Sequence, residues 1–182
     1  MIGGSIRGRK LRSTKGQRVR PTSSRAREAI FDILGHCQGL RVLDIFAGSG
    51  ALGIEALSRG ADFAVFVDRS SSAVRMIRQN LHECGLDLRS RVIQGEAGRI
   101  LRKLAASGER FSLILIDPPY KKGAVEKSLE VIAETGILAP GSMVVAEHHF
   151  SESMEHNIKG LERIDQRRYG DTAITFWRTS TS

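Results

Sequence analysis

Cysteine is scarce in this chain of 182 residues, which holds only Cys37 and Cys84, far apart in the sequence. Two distant cysteines support neither a disulfide framework nor a zinc site, so a reducing compartment is expected. No apolar run approaches the ~18 residues that span a bilayer. The basic N-terminus has no apolar segment behind it, unlike a secretory signal. We therefore expect a cytoplasmic protein with no membrane partner.

Acidic residues are almost absent from the first 30 positions, where Glu28 alone opposes nine basic residues. Those residues are Arg7, Arg9, Lys10, Arg12, Lys15, Arg18, Arg20, Arg25 and Arg27. This segment is +8, whereas residues 31–182 balance at 19 acidic and 19 basic side chains. Such a segment suits a polyanion, because Lys and Arg neutralise phosphates and release counterions. We predict a basic, RNA-facing arm at 1–20 and one domain at 21–182, with a solvated tail as the alternative.

Strand and helix patterns alternate from Leu40 onward. Apolar residues at helical spacing predict helices over 21–35, 51–59 and 71–84. Strands are predicted over 41–46, 63–67, 91–94, 111–116, 142–147, 161–168 and 172–177. The fourth strand is almost continuously apolar, as a central parallel strand is. The pattern indicates an α/β fold with a doubly wound, mostly parallel seven-stranded sheet, Rossmann-like, and a final antiparallel strand.

A glycine motif joins the first strand to the following helix. Gly48, Gly50 and Gly53 form G-x-G-x-x-G, which allows a tight turn and a close approach of backbone to a ligand. Asp68 ends the second strand, where a carboxylate can accept hydrogen bonds from a ribose diol. The two features in this context predict a nucleoside-bearing cofactor.

The motif alone leaves two cofactors open. NAD is the usual ligand of such glycines, but Asp44 lies near the expected pyrophosphate, where a carboxylate repels an anion. S-adenosylmethionine (SAM) carries an ammonium and a sulfonium and no phosphate. The chain after Asp68 is also short for a substrate domain added to a dinucleotide fold. SAM is therefore the favoured cofactor.

The fourth strand ends in Asp117-Pro118-Pro119-Tyr120, which resembles the signature of methyltransferases that act on exocyclic or planar amines. An amine attached to an aromatic ring is a weak nucleophile, because its lone pair is delocalised. Asp117 and the Pro118 carbonyl can each accept one N–H and so restore the lone pair, while the prolines fix the backbone. Tyr120 can stack on the flat base, which must leave a helix to enter such a site. The alternative is a plain strand-ending turn.

The Asp-x-Phe-x-Gly-x-Gly motif, followed by an acidic residue at the end of the second strand, resembles the motifs of the class I SAM-dependent methyltransferases. The resemblance implies that Asp68 holds the ribose, Arg69 lines the adenosine, and Glu96 and the Ala97 N–H face the adenine. Glu96 stands where relatives more often carry Asp, and it could instead cap the next helix. The implied SAM-binding residues are Asp44, Phe46, Ala47, Gly48, Ser49, Gly50, Asp68, Arg69, Gly95, Glu96 and Ala97.

Two blocks near the N-terminus, Gly3-Gly4-x-x-Arg7-Gly8-Arg9 and Arg20-Pro21-Thr22-x-x-Arg25, are similar to the RsmD family. The resemblance implies methylation of a guanine N2 in bacterial 16S ribosomal RNA, with the small-subunit particle as partner. The implied RNA-binding residues are Arg7, Arg9, Lys10, Arg12, Arg18, Arg20, Thr22 and Arg25. No metal site is expected, because His148 and His149 lack a third ligand. We expect a monomer. An adenine-N6 methyltransferase, a non-catalytic assembly factor and an NAD enzyme remain alternatives.

Overall fold

The computed structural model describes residues 1–13, 21–119, 123–152, 154, 157–158 and 160–179. Eight strands form one sheet within these residues, in the spatial order β3-β2-β1-β4-β5-β8-β7-β6. They are β1 (Arg41–Ile45), β2 (Phe63–Asp68), β3 (Ser90–Gln94), β4 (Phe111–Ile116), β5 (Leu138–His149), β6 (Asn157–Ile158), β7 (Leu161–Tyr169) and β8 (Thr172–Thr179).

The first five strands run parallel, and β8 then pairs antiparallel with β5. The strands β7 and β6 continue the sheet in antiparallel pairs. The predicted doubly wound α/β fold with an antiparallel end is therefore confirmed. The strand β6 adds an edge to the seven strands expected, and with two residues it is too short to give a periodic sequence signal.

Five helices cover the two faces of the sheet in the described part of the chain. They are α1 (Pro21–Leu34), α2 (Ala51–Ser58), α3 (Ser71–Glu83), α4 (Ala97–Ala106) and α5 (Ala124–Thr135). Apolar side chains of α1, α2 and α3 form one buried cluster with Leu113 of β4. Those of α4 and α5 form a second cluster with Ile114, the next residue of the same strand. Burial on both faces explains why the central strands read as apolar runs.

Strand β1 lies between β2 and β4, which is the point where the strand order reverses. Ile45, the last residue of β1, pairs with Val67 of β2 and with Ile116 of β4. The residues that follow these three positions therefore meet at the carboxyl edge of the sheet. Ligands of open α/β sheets bind at such a switch point.

The first six residues pack on α2. The Glu55 side chain is fully buried, and its carboxylate accepts the N–H of Ile2 at 2.9 Å and that of Gly3 at 2.7 Å. Ser58 Oγ donates to the Gly3 carbonyl at 2.6 Å. A Cβ on Gly4 would lie 1.9 Å from the Ser58 carbonyl oxygen, so only glycine fits there. The N-terminal half of the predicted arm thus contacts the domain, and residues 14–20 lie outside the described residues.

Several polar or reactive side chains serve packing. Cys37 and Cys84 are free and buried, and burial raises the pKa of Cys37 to about 11. Trp177 is fully buried in the second cluster. His148 is buried with its Nε2 2.8 Å from Thr175 Oγ1, and burial lowers its pKa. Among the described residues no helix is long and apolar enough to cross a bilayer, and no three potential ligands are grouped to hold a metal ion.

Candidate functional site

The chain turns sharply where β1 ends. Phe46 has a φ of 61° and is the only non-glycine residue with a positive φ among those described. The Ala47 N–H donates to the Val67 carbonyl at 3.1 Å, and the Gly50 N–H donates to the Ala47 carbonyl at 2.7 Å. A bulky residue in this backbone region is strained, and such strain concentrates at functional sites. The turn, residues 46–50, is called the glycine loop below.

Asp44 lies beneath the start of α2. Its Oδ2 accepts the Gly53 N–H at 2.9 Å, and its Oδ1 is buried with no partner among the described residues. Burial raises the pKa of Asp44 to about 8, the Gly53 hydrogen bond opposes that rise, and Asp117 and Asp68 add to it. A donor at the helix N-terminus, where a phosphate would bind, is therefore already taken by a carboxylate.

Gly53, the third glycine of the motif, has a packing role. A Cβ at this position would lie 2.4 Å from Phe66 Cε1 and 3.1 Å from Asp44 Oδ2. Any side chain would push α2 away from β2 and break the contact between the helix and Asp44. Gly53 therefore has a packing role that does not depend on a bound phosphate.

Asp68 is fixed at the end of β2 by two backbone donors. Its Oδ2 accepts the Gly48 N–H at 2.9 Å and its Oδ1 accepts the Ser70 N–H at 2.8 Å. Each oxygen keeps a lone pair that could receive a diol. The Gly95 N–H donates to the Asp68 carbonyl at 3.0 Å, so the segment after β3 lies beside this acid. The structure thus brings the predicted ribose and adenine residues together.

Glu96 is the N-cap of α4. Its carboxylate accepts the N–H of Gly98 at 3.0 Å and that of Arg99 at 2.8 Å, and these bonds lower its pKa. The capping alternative is confirmed, and the adenine contact stays a prediction. Ala97 is the first residue of α4, a position whose N–H has no acceptor within the helix. Arg69 is exposed next to this segment.

Asp117, Pro118 and Pro119 follow β4 directly, beside the glycine loop. Asp117 is exposed as a residue, yet it acts electrostatically on the buried Asp44. Although the residue as a whole is exposed, its carboxyl group lies among protein atoms at the sheet edge, and this desolvation raises the pKa of Asp117 above its usual range. The acidic side chains of Asp44, Asp68 and Asp117 therefore converge on one edge of the sheet, where a bound cation would favour their ionised forms and a phosphate would oppose them.

Asn80 of α3 was not among the predicted site residues, although it connects two of the predicted segments. It is fully buried, and its Nδ2 donates to the Ser49 carbonyl at 2.8 Å and to the Arg12 carbonyl at 3.1 Å. Its Oδ1 accepts the Arg12 N–H at 2.8 Å. One amide thus joins the N-terminal segment to the glycine loop. The sequence feature that could have identified Asn80 is its position, as a polar residue, on the apolar helix face that contains Ile77 and Leu81.

The predicted RNA-binding residues differ in their surroundings: some are paired with protein groups, some are exposed, and some lie outside the described residues. Arg12 Nε lies 2.7 Å from Glu83 Oε1, and an Arg9 guanidinium nitrogen donates to the Glu83 carbonyl. Arg7 and Lys10 are exposed. Arg25 lines a cleft of about 400 Å³ with Arg167 and Tyr169. Arg18, Arg20, the Thr22 side chain and Tyr120 lie outside the described residues, and RNA binding stays a prediction.

Comparison with known proteins gives matches over nearly the whole chain. A family model described as Conserved hypothetical protein 95 matches residues 1–178. YlbH of Bacillus subtilis, whose name provisionally assigns it to the rRNA methyltransferases, is 36% identical over 98% of this chain and 97% of that protein. Ribosomal RNA small subunit methyltransferase D of Escherichia coli K12 is 34% identical over 81% of this chain and 73% of that protein.

The fold has a solved counterpart in yhhF of Escherichia coli, a protein provisionally named as a methyltransferase. The two superpose with a TM-score of 0.86 at 28% sequence identity, covering 100% of this chain and 98% of the other.

The buried Asp44 predicts a stability cost in the ligand-free protein. A carboxyl whose folded pKa is raised contributes stability when protonated, and that stability is lost as pH rises from about 4 to about 8. At pH 8, Asp44→Asn should therefore have a free energy of unfolding about 1–3 kcal/mol higher than the wild type, measured by urea denaturation. The difference should shrink as pH falls toward 4. A pH-independent difference, or one matched by the exposed control Asp87→Asn, would contradict this assignment.

The Asn80 bridge predicts that one amide orders both segments it joins. Asn80→Asp keeps the shape but replaces two N–H donations by a buried charge, so it should destabilise the fold by about 3 kcal/mol. Amide hydrogen exchange should quicken at residues 11–12 and 48–50 in particular. Gln79→Glu makes the same chemical change on the exposed face of α3 and serves as the control. Unchanged amide exchange in the glycine loop would contradict the claim that Asn80 orders this loop.

Proposed function

The chain belongs to the RsmD family of class I methyltransferases, and on that premise we propose that it methylates the exocyclic N2 of a guanine in bacterial small-subunit ribosomal RNA. The observation that carries the proposal is the group of three carboxylates around the glycine loop, with Asp117-Pro118-Pro119 at its side. SAM is the proposed methyl donor.

The residues present fit SAM better than NAD. The buried Asp44 Oδ1 has no partner among the described residues and suits a cationic group such as the methionyl ammonium. The Gly53 N–H that would bind a pyrophosphate already donates to Asp44. Asp68 would hold the ribose diol, and Gly95, Glu96 and Ala97 would line the adenine. When bound, SAM supplies an electrophilic methyl group on a sulfonium sulfur.

Asp117 and Pro118 would prepare the amine. The Asp117 carboxylate accepts one N–H and the Pro118 carbonyl accepts the other, which localises the nitrogen lone pair for attack on the methyl carbon. Asp117 and Pro118 would thereby direct the amine lone pair toward the methyl group that a bound donor would supply, and the electron pair of the donor's bond to that methyl would remain on its sulfur. The amine then releases one proton, which Asp117 can hold because desolvation raises its pKa. The prolines limit backbone movement, so both acceptors are in place beforehand.

The cationic N-terminal segment supports a polyanionic substrate. Arg7 and Lys10 are exposed on the packed part of this segment, and the Asn80 bridge holds its backbone against the glycine loop. RNA bound to the segment would therefore lie next to the cofactor site. The E. coli relative is named for small-subunit ribosomal RNA, which agrees with this charge distribution. We also propose that the substrate is the assembled small-subunit particle and that the enzyme is a monomer.

Asp117→Ala tests the catalytic assignment. Removing the acceptor should lower kcat for methyl transfer to small-subunit particles by about 100-fold to 1,000-fold. Binding of SAM, measured by calorimetry, should stay within about threefold of wild type. The wild-type rate should also fall as pH drops through the raised pKa of Asp117, because the protonated acid no longer accepts. Asp87→Ala, an exposed acid outside the site, is the control; equal rates for the two variants would refute the role.

Arg7→Gln with Lys10→Gln tests the basic segment. Losing two phosphate contacts should reduce the slope of log affinity against log salt by roughly 1.4–1.8 and weaken RNA binding at low salt. Arg102→Gln with Lys103→Gln removes the same charge from exposed positions on α4 and should change the slope little. SAM affinity should be equal in both pairs. The same loss of slope in both would attribute RNA binding to net charge alone.

A further inference from the structure

An aromatic ring and a guanidinium form an exposed stack where β5 ends. Arg168 Cζ lies 3.7 Å from the centroid of the Phe150 ring. Phe150 is 40% exposed and is the only exposed Phe, Tyr or Trp in the part of the chain that the structure describes. Arg168 is exposed as well, so the side of the stack that faces away from the protein meets solvent.

Hydrogen bonds to the turn between β7 and β8 hold the Arg168 guanidinium and the Phe150 backbone. Arg168 Nε donates to the Gly170 carbonyl at 2.8 Å, and the Phe150 N–H donates to the Asp171 carbonyl at 3.0 Å. The turn between β7 and β8 thus ties the guanidinium and the ring to one short segment. A planar cation held in this way loses little further entropy when a ligand stacks on it.

The other arginine–aromatic pairs in the described residues are placed differently. Arg41 lies over Phe63 and Phe111 at the amino ends of the strands, and Arg59 lies over the fully buried Phe31. These pairs cover apolar core. Of the arginine–aromatic pairs among the described residues, the stack of Phe150 and Arg168 is the one in which both side chains are exposed to a ligand.

The stack lies on the same edge of the sheet as the candidate active site. Ile116 of β4 pairs with Ala146 of β5, so Asp117 lies beside Glu147. Phe150 follows three residues later, roughly 10 Å further along the direction of β5. A nucleic acid strand whose target base enters at Asp117 would pass within reach of Phe150.

We propose that Phe150 and Arg168 form a stacking platform for an unpaired RNA base next to the methylated guanine, an inference that rests on the proposed function. Single-stranded RNA is recognised by stacking of splayed bases on aromatic rings and on guanidinium planes. A base extruded for methylation leaves its neighbours without a stacking partner, and the platform replaces it. Arg168 adds a positive charge that favours the adjoining phosphate.

Steady-state methyl transfer to small-subunit particles tests the platform. Phe150→Ala and Arg168→Ala should each raise KM for the particle by roughly fivefold to 100-fold, with SAM affinity unchanged. Phe150→Trp should restore the wild-type KM, because it keeps a stacking surface. Ile164→Ala, which removes an exposed apolar side chain from β7, the strand that carries Arg168, should have no effect.

The salt dependence separates stacking from charge. Phe150→Leu, which keeps an apolar side chain and guards against misfolding, should raise KM without changing its salt slope. Arg168→Lys keeps the charge but loses the plane, so it should raise KM and retain the slope. Wild-type KM in Phe150→Leu and Arg168→Lys would overturn the platform while leaving the methyltransferase intact. Absence of methyl transfer by the wild type to any RNA would overturn the proposed function, and the platform with it.

Discussion

A carboxylate buried beneath a helix N-terminus determines what this fold can bind. Asp44 takes the Gly53 N–H, and only a glycine at position 53 lets α2 approach closely enough to provide it. The same glycine motif would bind a pyrophosphate if the Gly53 N–H were free to donate to it. With Asp44 in place, and Asp68 and Asp117 nearby, the residues present fit a cation-bearing ligand better than a pyrophosphate. The Gly53 N–H, a donor that a pyrophosphate would need, is already taken by Asp44.

The N-terminal segment combines two roles that its composition did not separate. Glu55 and Ser58 hold its first residues on α2, and Asn80 holds Arg12 beside the glycine loop. Its exposed Arg7 and Lys10 remain available for a polyanion. The segment is therefore part of the domain as well as its basic surface. The Asn80 hydrogen bonds connect this segment to the glycine loop.

Sequence reasoning reached the parts of the site that are local in the chain. The glycine loop, Asp68 and Asp117 each stand at the end of a strand, so periodicity and spacing were enough to place them at one edge. Asn80 and Glu55 were missed because their partners are 68 and 53 residues away, and contacts of that kind depend on packing. The stack of Phe150 and Arg168 arises from a register across β5, β8 and β7. Glu96 was anticipated both as a cap and as a ligand residue, and the structure shows the cap.

The most direct test of the account is the identity of the methylated nucleoside. Purified protein, labelled SAM and small-subunit particles from cells lacking this enzyme would be incubated, and the RNA digested to nucleosides for mass spectrometry. The account predicts N2-methylguanosine, formed by the wild type and lost with Asp117→Ala. Label in N6-methyladenosine would preserve the amine chemistry and contradict the substrate. Absence of label in any RNA, with SAM still bound, would contradict the enzymatic assignment itself.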